Sequence, residues 1–169
     1  LGVLILPLVV KFLGKKKTAM LGFCIGTLAD LANFLLPSNV YVFTILASIA
    51  FIGISLPNGI TWAFVSDIID YGEWHSGERK EATTYSLFNF SRKLAQALSG
   101  FLSGIGLSLV GYVPNVAQTA HALIGIKALL CLYPAVAMFI AMLIIGFLYK
   151  ITDKRHAEIV HELELRSGH

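Results

Sequence analysis

The chain has 169 residues, of which 56% are hydrophobic and only 14% charged, with a formal net charge of +3 and a mean hydropathy of +0.75. A soluble domain carries about 25% charged residues, so a water-covered surface is excluded. Apolar runs of about twenty residues recur, long enough to cross ~30 Å of hydrocarbon, and the ~10-residue alternating segments of an outer-membrane barrel are not seen. An all-α membrane protein is expected.

The predicted spans are about five, at 2–13, 18–36, 40–65, 83–110 and 123–149, within a transmembrane bundle of residues 1–150. The first is already apolar at Leu1 and holds Pro7, a kink signal. It has neither the basic start nor the cleavage pattern of a signal peptide, so a longer protein is expected. A basic loop, Lys11 to Lys17, follows. The second span stops at Pro37-Ser38-Asn39. The third is predicted to be interrupted at Pro57-Asn58-Gly59. A polar loop at 66–82 precedes the fourth span, and Gly111-Tyr112-Val113-Pro114-Asn115 ends it. The fifth leads into a charged tail, 151–169.

Lys and Arg cluster in the 11–17 loop, the 66–82 loop and the tail. The loops around Ser38 and Asn115 carry none, apart from Lys127 at a helix start. By the positive-inside rule the 66–82 loop and the tail are cytoplasmic. The tail reads as a solvated extension in which Ile159, Val160 and Leu163 share a helical face.

Residues 66–93 are the most polar stretch before the tail, with five of the ten acidic residues of the chain. Lys93 lies about 15 Å into a helix entered at Thr83. Tyr85, Asn89, Lys93 and Gln96 form a polar stripe on it. Two readings of Lys93 stand side by side: a cavity-facing charge, or a stem that snorkels to the interface. Arg92 suits the interface or an ion pair. Asn58 and Trp62 share a face of the third span beside the Pro57 break, where transporters often bind substrate. Asp30 either pairs with Lys127 or meets water near the outer interface.

Gly22 with Gly26, and Gly100 with Gly104, are small-residue pairs that let helices approach. Packing inside one bundle is the expected use of both, and the Gly- and Ser-rich fourth span is expected to be surrounded by other helices. Cys24 and Cys131 read as reduced packing residues. No metal-ligand set, nucleophile–base pair or phosphate loop is visible, so neither an enzyme nor a metal site is expected.

Asp67-Ile68-Ile69-Asp70-Tyr71-Gly72-Glu73-Trp74, then Gly77, Arg79 and Glu81, then Tyr85-Ser86 and Lys93, resemble the signature of the glycoside–pentoside–hexuronide:cation symporters. These belong to the major facilitator superfamily and include the melibiose permease. Gly111 to Asn115 is also similar to that branch. The resemblance covers the whole chain, from the end of helix eight to helix twelve of twelve.

It implies the C-terminal part of a transporter that moves a sugar or glycoside with Na⁺ or H⁺ by alternating access in the cell membrane. It implies Lys93 and Asn89, with Tyr85, Trp62 and Asn58, at the substrate cavity. It implies gating through Asp67, Asp70, Tyr71, Glu73, Arg79 and Glu81. The coupling-cation site is expected mainly in a missing N-terminal six-helix half, the expected partner besides substrate and lipid; no other cofactor and no nucleic-acid partner are expected. Lys11 stands where the superfamily's loop motif has Asp, and Asn58 where the melibiose branch has an aromatic. The alternative is a membrane interaction or structural protein without transport of its own, should these residues be the whole gene product.

Overall fold

The computed structural model describes residues 2–36 and 39–167, and the side chains within 6–36 and 39–166. Its elements are α1 (Gly2–Leu13), α2 (Lys15–Leu35), α3 (Val40–Ser76), α4 (Glu81–Leu109), α5 (Ala120–Lys127), a π-helical turn (Ala128–Leu132), α6 (Tyr133–Leu148) and α7 (Asp153–Ser167). No strand occurs among the described residues. From α5 through the π turn to α6 the chain forms one continuous rod.

Among the described residues three helices are long and apolar enough to cross a membrane: Lys15–Leu35, Val40–Ser76 and Ala120–Leu148. α4 has the length but not the apolar composition. A helix that carries Arg92 and Lys93 side by side is poorly suited to lipid on all faces.

The packed centre is α2 against α3 and α6. Gly22 and Gly26 of α2 lie against Gly53 of α3, and Met138 of α6 covers Gly26. A methyl group on Gly22 would sit 2.6 Å from Cδ of Pro57. Gly22→Ala is therefore expected to cost about 1–3 kcal/mol as the helices are forced apart, read as a drop in unfolding temperature of the full-length protein in detergent.

Pro57 does not interrupt α3; the helix runs through it and Gly59. Nor does the helix end at Val65. The polar stretch predicted as a loop over 66–82 is helical to Ser76, so Asp67, Asp70, Tyr71 and Glu73 sit on an extension of α3. At ~1.5 Å per residue its 37 residues measure about 55 Å, well beyond a bilayer core. Gly77 stops it in the left-handed conformation, φ 74°, a standard helix stop. Only a short turn then remains before α4, which starts at Glu81, not Thr83.

The fourth helix departs furthest from expectation. None of its residues is buried in this chain. It touches α3 through the rings near Trp62 and the π turn where Gly106 meets Leu129. A Cβ on Gly100 or Gly104 would meet nothing within 4 Å. The first glycine pair is thus a packing device within the chain, and the second is not used by it.

The tail also differs from a solvated extension. α7 folds back on the α3 extension, and Ile159 is 0% exposed.

Candidate functional site: a helix crossing and a charged clasp

Two sets of sequence-predicted residues come together, at different places. The first is the crossing of α3 and α4. Trp62 lies against Tyr85, with ring centroids 6.1 Å apart, and edge-on to Phe88 at 5.2 Å. Such pairs are worth about 0.5–1.5 kcal/mol each beyond their buried area. They tether α4, whose other contacts in the chain are few.

From that tether Asn89 and Lys93 continue along α4 at four-residue steps, and Asn58 lies one turn before Trp62 on α3. Asn58, Asn89 and Lys93 are exposed, and among the described residues none has a hydrogen-bond or ion-pair partner. Counted from Glu81, Lys93 is twelve residues into α4, or about 18 Å. No carboxylate of the described chain neutralises it. The face is therefore open, polar and positive, edged by the aromatic rings of Trp62 and Tyr85.

The second set lies at the Lys15 end of the bundle and centres on Asp67, which is 3% exposed. Lys15 Nζ donates to both of its carboxylate oxygens, at 2.6 and 2.7 Å. The Tyr149 hydroxyl donates to Oδ2 at 2.8 Å. His156 Nε2 lies 3.3 Å from Oδ1 of Asp67 and 3.0 Å from Oδ2 of Asp70. One carboxylate thus joins the start of α2, the α3 extension, the residue after α6, and α7. Burial first, and the Asp67 bond second, push the Tyr149 phenol well above its ordinary range, so it remains a donor at any physiological pH. Lys16 adds a separate tie, donating to the carbonyls of Gly146 and Tyr149 at the end of α6 at 2.9 and 2.7 Å, where a cation suits the helix dipole.

Arg79 fastens the turn between α3 and α4. It donates to Glu73 at 2.6 Å, to Asp70 at 3.0 Å and, through Nε, to Glu81 at 3.4 Å. The Glu73 and Asp70 carboxylates raise its already high pKa further, Glu73 most. Tyr71, also assigned to this group from sequence, is half-exposed, stacks on His75 and lies tilted against Trp74 without joining the charged network.

Sequence reasoning missed Lys15, Tyr149, His156 and Trp74 as members. Trp74 is the seat of α7. Its indole N–H donates to Glu162 at 2.6 Å, its carbonyl accepts from Arg166 at 3.2 Å, and the Arg155 guanidinium lies 5.0 Å from its ring. The signal was present: Asp67, Asp70 and Trp74 fall at i, i+3 and i+7, one face of a helix. Trp74→Ala is expected to release α7, since the hydrogen bond and the cation–π contact are together worth about 2 kcal/mol. Tryptic cleavage at Lys154 and Arg155 should then rise roughly tenfold or more, because cleavage follows the open population.

Residues 1–153 match the family model described as MFS/sugar transport protein. The chain belongs to that family. The "Uncharacterized symporter YjmB" of Bacillus subtilis (strain 168) is 77% identical over 167 residues, 99% of this chain and 36% of the relative. The "Putative sulfoquinovose importer" of Escherichia coli (strain K12) is 40% identical, over 99% of this chain and 36% of the relative. The "Glucuronide carrier protein homolog" of the same strain is 37% identical, over 96% of this chain and 35% of the relative. The chain thus spans about a third of the length of these relatives. As a member of the major facilitator sugar-transport family, it is an all-α membrane protein.

Proposed function

We propose that these residues form the C-terminal part of a secondary transporter that carries a sugar or glycoside together with Na⁺ or H⁺ by alternating access. The observation that carries the reading is Lys93: a cation well inside a long helix, on a polar face, with no counter-charge among the described residues. Intramembrane charges of this kind face a cavity or a partner. Asn89 and Asn58 offer amide donors and acceptors for hydroxyl groups, and Trp62 and Tyr85 offer ring surface for the apolar face of a sugar.

The preferred substrate on this reading is a sugar that carries an anionic group. The names of two relatives point the same way, since sulfoquinovose bears a sulfonate and a glucuronide a carboxylate. A lysine ammonium with Arg92 next to it supplies the complementary field. The clasp around Asp67 lies at the cytoplasmic end on the positive-inside rule, as the Lys and Arg distribution argues. There Asp67, Asp70, Glu73, Arg79 and Glu81 hold α2, α3, α4 and α7 in one arrangement, and opening the inner side of the cavity would exchange these ion pairs. The coupling cation is assigned mainly to the part of the transporter outside these residues.

Direct binding tests the substrate class. The full-length protein is expected to bind glucuronic or galacturonic acid more tightly than the matching neutral hexose, by tenfold or more, as one charge-assisted hydrogen bond is worth about 1.5–3 kcal/mol. Equal affinity for the neutral and acidic sugars would sink the anionic assignment.

A further inference from the structure

A separate cavity of about 340 Å³ lies between α2, α3, the π turn and the start of α6. It sits toward the Leu35 end of the bundle, away from the clasp. Phe43, Ala50, Phe51, Ile54 and Met138 give it an apolar wall. Asp30 and Asn33 break that wall from one face of α2, a turn apart. Asp30 is only 9% exposed, yet among the described residues no hydrogen bond or ion pair reaches its carboxylate.

The neighbours do not neutralise it. Lys127, which the sequence offered as a partner, spends its ammonium on the Leu36 carbonyl at 2.8 Å. Asn33 donates to the Phe43 carbonyl at 3.3 Å, leaving its amide oxygen without a donor. The buried Cys131 thiol is the remaining titratable group on the lining; α3 and α6 contribute no charged or titratable side chain to it. The Asp30 carboxylate oxygens are open to the cavity, and an isolated carboxylate on an apolar wall gains from a counter-charge that joins it there. Carboxylate and amide oxygens select small hard cations. The π turn, which supplies Leu130 and Cys131 to the wall, is a backbone form that gathers at functional sites.

We propose that Asp30 and Asn33 form a binding site for one small monovalent cation, a proton or Na⁺, exchanged from the Leu35 end of the bundle. The site is distinct from the α3–α4 crossing and lies outside the half in which the coupling-cation site is mainly expected. One bound cation balances the single carboxylate charge. The proposal stands apart from the sugar reading, because its test needs no sugar.

The test uses the full-length protein in liposomes and dicyclohexylcarbodiimide. This reagent adds to a protonated carboxyl group, and the O-acylisourea formed rearranges to a stable N-acylurea with no group lost. Peptide mass mapping reads the yield at Asp30, with Asp30→Asn as the blank. The expected result is labelling at mildly acid pH in choline buffer. For a proton site, yield falls roughly tenfold per pH unit above the midpoint. For a Na⁺ site, it falls roughly tenfold at a Na⁺ concentration ten times Kd. Absence of label under every condition, or equal label at all pH values with and without Na⁺, overturns the proposal.

Discussion

Replacing Asp67 with alanine is expected to cost the full-length protein about 3 kcal/mol and to detach the tail helix. Removing one partner of a buried ion pair leaves the other uncompensated, a loss of about 3–5 kcal/mol. The lower end applies because the Lys15 side chain keeps 21% of its surface in contact with solvent. The substitution also strands the Tyr149 hydroxyl and half of the His156 contact. The measurements are thermal unfolding in detergent and tryptic sensitivity of residues 153–167. Asp70→Asn should cost less, since Asp70 is more exposed and Arg79 retains Glu73. The sign of the pH dependence is also set. The Tyr149 phenol is raised in the folded state, so its contribution is complete below the unfolded value of about 10 and is lost only as pH rises beyond it. Between pH 6 and 9 the Asp67–Tyr149 bond should not respond.

Lys93→Ala should weaken binding of an acidic sugar by roughly thirtyfold to 150-fold while leaving unfolding temperature nearly unchanged. A charge-assisted bond to a sulfonate or carboxylate is worth about 2–3 kcal/mol. Stability should not change because Lys93 is exposed and bonds to nothing among the described residues. Lys93→Arg is expected to keep part of the affinity, since the charge remains but the fork geometry differs. A neutral glycoside should lose far less in both variants, and that difference separates a charge contact from a general packing defect. Equilibrium binding in detergent, by calorimetry or by Trp62 fluorescence, checks both numbers.

The helical spans were legible because lipid demands long apolar runs and internal backbone bonding. α2, α3 and the α5–α6 rod follow from that alone. The reach of α3 to Ser76 was obscured because Asp67, Asp70 and Glu73 look like loop residues when polarity is the only guide. Their i, i+3 spacing and the lack of a strong breaker before Gly77 carried the helical signal. The two glycine pairs show a firmer limit. Gly22 with Gly26 and Gly100 with Gly104 have the same pattern, but among the described residues only the first has a close neighbour. A small-residue stripe marks a face that admits close approach; it does not name what approaches.

The site divides in the same way. Lys93 and Asn89 stood out as polar groups at four-residue spacing on one helix, and Asp67 to Glu81 as an acidic and basic cluster. That Asp67 is the buried hub could not be read locally. Its partners Lys15, Tyr149 and His156 lie 52, 82 and 89 positions away, and only the folded bundle brings them together. The docking of α7 was similarly hidden, because its few apolar residues sit in a charged helix and the seat of that helix, Trp74, lies in another element.

Counterflow in proteoliposomes tests the central claim most directly. Full-length protein, wild type and Lys93→Ala, would be loaded with an acidic sugar and given a labelled trace outside, with and without an inward Na⁺ or H⁺ gradient. The account predicts cation-stimulated entry in the wild type and a loss of at least tenfold in Lys93→Ala at a sugar concentration near the wild-type Kd. Wild-type entry in Lys93→Ala would contradict the account, as would a wild-type protein that moves no sugar under either gradient.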